Sequence, residues 1–164
     1  MKAQKIIAIS ACLLGHKVRY DGADQAHQII QQLQRYFEVI PVCPEVGIGL
    51  TVPREKIELH QQGDEVRLLT TTQPSKDLTV AMVAYAGMFL QNHAISGLIL
   101  KDKSPSCGVA NCKQFDEHGL MQREGTGIFA AAVRQLKPNL PMLQSHLVNQ
   151  DSDLDSFIRQ VNEY

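Results

Sequence analysis

Short apolar runs alternate with stretches of helical periodicity along most of the chain. Lys5-Ile6-Ile7-Ala8-Ile9 reads as a buried strand, and so do Phe37-Glu38-Val39-Ile40-Pro41-Val42 and Gly97-Leu98-Ile99-Leu100. Between the first two, Ala26, Ile29, Ile30 and Leu33 fall on one helical face. Between the second and third, Leu78, Ala81, Met82, Tyr85, Met88 and Phe89 do the same and predict the clearest helix of the chain. Ile128, Phe129, Ala132, Val133 and Leu136 predict another, opened by Gly125-Thr126-Gly127. A last helix, using Leu154, Phe157, Ile158 and Val161, is expected from Ser152, where Ser152-x-x-Asp155 is capping-box-like. Two segments break the alternation. Lys56–His60 and Val66–Leu69 flank Gln62-Gly63-Asp64 as a β-hairpin inserted before the long helix, and Lys113–Phe115 with Leu120–Gln122 suggest a second, smaller one. The expectation is an α/β fold: a mainly parallel sheet with helices on both faces plus a small hairpin insertion, in a single domain over residues 1–164.

Composition narrows the function classes. With 164 residues, 44% of them hydrophobic and 20% charged, the chain has the make-up of a soluble globular protein with a real core. A formal net charge of −1 gives no global attraction to nucleic acid or anionic membranes, and no apolar run is long enough to span a bilayer. Ile9-Ser10-Ala11-Cys12 after Lys2 and Lys5 looks like a lipoprotein processing site, but Ile6 to Ile9 is too short for a signal-peptide core, so a cytoplasmic location is expected. In a reducing compartment four cysteines are metal ligands, catalytic thiols or buried residues rather than a disulfide scaffold.

Three of those cysteines follow predicted strands: Cys12 the first, Cys43 the second, Cys107 a short loop beyond the third. Parallel strands bring such loops to one sheet edge, where α/β sites lie. Taken singly, each reads equally well as a buried thiol; together they point to a site. The chain lacks the paired C-x-x-C knuckles of structural zinc, and the six histidines show no ligand pairing. Cys107 and Cys112 are spaced as in part of a plant-type ferredoxin, which the other cysteines do not continue. Three thiolates without an obvious fourth ligand suit a 4Fe-4S cluster with one open iron, able to act as a Lewis acid. Around them, Cys43-Pro44-Glu45 places a carboxylate that is either a surface group or an acid–base group. Ser104-Pro105-Ser106-Cys107-Gly108 offers two hydroxyls, and Arg19 with Asp21 either reaches over the site or forms a plain surface pair. Gly47-Ile48-Gly49 is no dinucleotide fingerprint, and Gly125-Thr126-Gly127 is a tight turn or an anion-binding helix start.

Ser10-Ala11-Cys12-Leu13-Leu14-Gly15 with Val18-Arg19-Tyr20-Asp21-Gly22, then Cys43-Pro44-Glu45, then Ser104-Pro105-Ser106-Cys107-Gly108, resemble the thiouracil desulfidase family. The resemblance extends to Gly125-Thr126-Gly127-Ile128-Phe129 and Pro138-Asn139-Leu140-Pro141, nearly the whole chain. It implies an α/β fold, a 4Fe-4S cofactor held by Cys12, Cys43 and Cys107, and removal of sulfur from 2- or 4-thiouracil as sulfide without net redox change. Cys112 lies outside the motifs and receives no ligand role. The expected partner is a small-molecule thiopyrimidine, with no nucleic acid and no membrane.

From this, Glu45 and Ser104 are the expected catalytic residues, and Ser106, Arg19 and Asp21 the expected substrate contacts. Two other readings compete. One is a four-cysteine metal-binding or redox-sensing domain without catalysis. The other is a desulfidase of a different thiolated metabolite or a tRNA base, which a chain of balanced charge makes less natural.

Overall fold

The structure, a computed structural model, describes residues 3–164. Strand β1 (Ile6–Ser10) runs into a 3-10 turn at Ala11–Leu14, then comes the short helix α1 (Gln28–Gln32), β2 (Glu38–Val42) and the one-turn helix α2 (Pro44–Gly47). The hairpin β3 (Ile57–Gln62) and β4 (Glu65–Thr70) leads to α3 (Thr79–Asn92) and β5 (Gly97–Leu100). A second hairpin, β6 (Cys112–Phe115) and β7 (Met121–Gly125), precedes α4 (Ile128–Leu136), β8 (Met142–Gln144) and α5 (Asp151–Glu163).

Ile7, Ala8, Ile9, Leu98, Ile99 and Leu100 are wholly buried because β1 and β5 are central strands covered on both sides, which is why they read as unbroken apolar runs. The first sheet has the order β2-β1-β5-β8 with every pairing parallel. Pro41 is tolerated because β2 is an edge strand. One face packs on α1, the turn after it and α5 through Ile30, Leu33, Phe157 and Val161. The other packs on α3 and α4 through Met82, Phe89, Phe129 and Val133. The mainly parallel sheet with helices on both faces is thus as expected.

Three features differ from the sequence reading. The hairpins are not isolated additions: β3 pairs in parallel with β6, giving a second, mixed sheet of order β4-β3-β6-β7 whose Leu59 and Leu68 join the core under α3. Helix α5 starts at Asp151 with Gln150 at the N-cap and no side-chain cap, so the capping box expected at Ser152 is absent. The amides of Asp153 and Leu154 are satisfied by the Gln150 carbonyl instead, with Asp151 and Asp153 favourably placed at the positive helix end. Finally, α3 is apolar all round and carries no charged residue, so its periodicity cannot say which side is buried. Met82, Ala86 and Phe89 face inward, whereas Met88, expected with them, is 51% exposed.

Gly97 opens β5 where α5 crosses. A Cβ there would lie 2.6 Å from Val161 Cγ2 and 3.0 Å from Phe157 Cζ, both on a packed helix face. Gly97→Ala is therefore expected to cost about 1–3 kcal/mol by overpacking, read as a lower urea midpoint at an unchanged slope. Among the described residues, no helix is long and apolar enough to cross a membrane.

Candidate active site

The chain passes from β1 to β2 on one side, then returns across β1 to β5 on the other. Such a reversal opens a crevice beyond the carboxyl ends of the strands. A cavity of about 290 Å³ lies there, and Cys12, Cys43 and Cys107 all line it. Each is set by local structure. Cys12 sits in the 3-10 turn, whose end is fixed by Gly15 at φ 94°. Cys43 is the N-cap of α2, with Pro44 pre-forming the first turn and projecting Glu45 from it.

Cys107 lies in a loop strapped to α4. The amides of Gly127, Ile128 and Ala130 donate to the carbonyls of Gly108, Pro105 and Ser106 at 2.7, 3.0 and 3.2 Å. A Cβ on Gly127 would run into the Ser106 carbonyl. These helix-start amides therefore bind the loop rather than an anion, and that settles the two readings of Gly125-Thr126-Gly127.

Electrostatics join the three thiols. Burial pushes Cys12 up to about 11; Cys43 pushes the same way, and Lys101 and Arg19 oppose it. Cys43 is also raised, chiefly by burial. Cys107 is raised well above the ordinary range, by burial first and then by the charges of Glu45, Cys43 and Cys12; the Ser10 hydroxyl works against this. Two buried thiols and the half-buried Cys43 would repel one another as thiolates and need a cationic, thiophilic group to ionise together. Among the described residues, no three His, Cys, Asp or Glu side chains are grouped to hold a single metal ion. Three thiols on one cavity are a donor set that would suit an iron–sulfur group.

The raised thiols have a testable sign. Above the ordinary cysteine value of 9.0 an unfolded chain gives up these protons while the folded one keeps them. Cluster-free protein should then lose stability as pH climbs from about 9 toward 11. Urea unfolding followed by circular dichroism at about pH 7.5 and about pH 9.5 measures this, and equal midpoints would contradict it.

Glu45 is held from two sides. Arg54 Nε donates to Oε2 at 2.7 Å and Ser106 Oγ donates to Oε1 at 3.0 Å. Arg54 is nearly buried, with 6% side-chain exposure, and also donates to the carbonyls of Val18 at 2.9 Å and Thr51 at 3.2 Å. It thereby joins the segments following Cys12 and Cys43. Ser104 Oγ accepts the amides of Cys107 at 3.0 Å and Ser106 at 3.3 Å, which leaves its own O–H to donate into the cavity. Arg19 lines the cavity, and Asp21 lies behind it, its Oδ2 3.8 Å from the Arg19 guanidinium. Ser106 is fully buried and meets the cavity only through Glu45. Cys112, also fully buried, stays out of the cavity and donates its thiol to the Ser104 carbonyl at 2.8 Å.

Sequence reasoning did not find Arg54, Lys101 or Asp102 and gave no role to Tyr20 within its motif; all four line the cavity. Lys101 Nζ lies 2.8 Å from Asp102 Oδ1, and the Ser145 hydroxyl donates to that oxygen at 2.7 Å. Burial opposes ionisation of Asp102, but these donors win and hold its carboxyl below the usual range.

Comparisons with known proteins identify relatives of the chain. The chain is 31% identical over 140 residues to the uncharacterized protein YbbK of Bacillus subtilis (strain 168), covering 79% of this chain and 90% of that protein. It superposes on the solved structure of the [4Fe-4S]-dependent thiouracil desulfidase TudS (DUF523Vcz) with a TM-score of 0.72 and 28% identity, covering 94% of this chain and 99% of the other. Residues 7–145, which take in all three cavity cysteines and both hairpins, match the 2-thiouracil desulfurase family, and it is to that family that the chain belongs.

Proposed function

We propose that the protein hydrolyses thiouracil to uracil and sulfide without net redox change, using a 4Fe-4S cluster held by Cys12, Cys43 and Cys107 alone. The observation that carries this reading is the convergence of three thiols from three strand ends on one cavity with Glu45 and Ser104. When bound, the cluster supplies an iron without a protein ligand, a Lewis acid for a thiocarbonyl sulfur.

The residues of the chain do the rest. Arg54 and Ser106 both donate to Glu45, so the carboxylate is arranged as an acceptor and enters the cycle as a base. Glu45 takes a proton from the water that attacks the ring carbon and returns it to the departing sulfur. Water oxygen replaces thiocarbonyl sulfur at that carbon, the C–S bond breaks, and hydrosulfide leaves with no electron gained or lost. Ser104 donates its free O–H to the ring amide. Arg19, steadied by Asp21, presents its guanidinium to the ring from the cavity wall, while Ser106 acts on the substrate through Glu45.

Anaerobic reconstitution with iron and sulfide, followed by addition of 2- and 4-thiouracil, tests the reading. Brown absorbance with formation of uracil and sulfide is the expected result. A cluster that forms without turnover would assign another substrate or a redox role, and a colourless zinc-binding protein would overturn the proposal.

A further inference from the structure

A second cavity, of about 530 Å³, adjoins the first and shares Tyr20, Glu45, Lys103 and Pro105 with it. The start of β3 and the β6–β7 hairpin close its far side, through Lys56, Glu58, Lys113, Phe115 and Glu124. We propose that this cavity is the water chamber of the site: it delivers to Glu45 the water consumed in each turnover, while the cysteine-lined cavity takes the thiolated ring. The inference rests on the hydrolytic reading above.

Three observations support it. The chamber walls carry Lys56, Lys103 and Lys113 against Glu45, Glu58 and Glu124, balanced charges that hold water without selecting an ion of either sign. At about 30 Å³ per water, its volume of about 530 Å³ holds roughly eighteen. The cysteine-lined cavity, by contrast, is smaller, and its charged lining is unbalanced, with Arg19, Arg54, Lys101 and Lys103 against Glu45 and Asp102, so a bound ring and cluster leave little room there for water.

Glu45 itself connects the two spaces. A carboxylate has about four acceptor positions; Arg54 and Ser106 occupy one on each oxygen, leaving one on each for a water. Tyr20 forms part of the partition, with Lys56 Nζ 5.3 Å and Arg19 Cζ 5.8 Å from its ring centre, and its carbonyl accepts the Arg54 amide at 2.8 Å. The balance of the step is simple. The water oxygen forms the new C–O bond, one proton passes through Glu45, and both protons leave with the sulfur or enter solvent.

The test fills the chamber without touching Glu45. Lys113 and Glu124 are exposed cross-strand partners on the β6–β7 hairpin, a position that accepts tryptophan. The protein contains no tryptophan, so Lys113→Trp and Glu124→Trp each introduce a single fluorophore. In reconstituted enzyme with 2-thiouracil, both should lower kcat about tenfold with KM within about twofold and cluster absorbance unchanged. Leu120→Trp, at the exposed turn of the same hairpin, should match wild type in both constants. In cluster-free protein, the indole emission of both chamber variants should be blue-shifted relative to Leu120→Trp, because an indole that displaces the chamber's water is shielded from solvent. Wild-type kcat in both chamber variants overturns the proposal, as does a rise in KM at constant kcat, which would make the chamber a substrate subsite. Emission as red as that of Leu120→Trp in both chamber variants overturns it as well, because the space is then open surface, and that readout needs no turnover. If reconstituted wild type forms no uracil, the hydrolytic reading itself has failed, whatever the emission shows.

Discussion

Glu45→Gln is expected to slow thiouracil turnover about a thousandfold while the reconstituted protein keeps wild-type absorbance and melting. Glutamine is nearly the same shape as glutamate, its amide oxygen can still accept from Arg54, and the Ser106 hydroxyl can turn to accept from the new NH₂. What it cannot do is take a proton from water. Glu45→Ala is the less informative change, because it strands Arg54, whose side chain is 6% exposed, without its carboxylate. Breaking a buried pair from one side costs about 3–5 kcal/mol, so loss of activity there mixes chemistry with stability. Wild-type kcat in the glutamine variant would remove Glu45 from the mechanism. A colourless glutamine variant would instead make the residue structural.

Cys107→Ala should give protein that cannot be reconstituted: no brown absorbance and no uracil. Its neighbour in sequence provides the contrast. Cys112→Ser should keep both cluster and activity, because the thiol of Cys112 is committed to the Ser104 carbonyl and a serine hydroxyl can make the same donation. The two cysteines lie in one short segment and are equally hidden, at 6% and 0% exposure, so burial cannot account for opposite outcomes. Only the direction each sulfur faces can. A colourless Cys112→Ser protein would favour the four-cysteine reading and remove the open iron from the mechanism.

The strands that carry the cysteines were legible because they are buried on both faces and so appear as short apolar runs; β8 was not, because Met142–Gln144 is too short to show a period. The two hairpins could be read locally, but their union through β3 and β6 could not. That pairing joins residues more than fifty positions apart through Leu59↔Gln114 and His60↔Phe115, and nothing in either segment alone encodes it. In the site, Cys12, Cys43, Cys107 and Glu45 were legible from strand-end positions and motif. Arg54 was not, because Thr51-Val52-Pro53-Arg54 has the composition of a surface loop. Only folding shows that its guanidinium points inward. Ser106 was found but its direction was not: sequence shows a hydroxyl beside Cys107, and structure turns it toward Glu45.

The narrowness of the β3–β6 seam has a mechanical meaning. Each hairpin is internally well paired, β3 with β4 over six residue pairs, yet the two hairpins are joined along only two. A sheet of this kind is expected to give way first at its weakest line, between β3 and β6, while the parallel sheet stays shut. Amide hydrogen exchange should register this as two rates: slow through Ile7–Ile9 and Leu98–Leu100, faster across the seam. Because the seam borders the charged cavity, its opening would set how quickly that space exchanges its contents with bulk solvent.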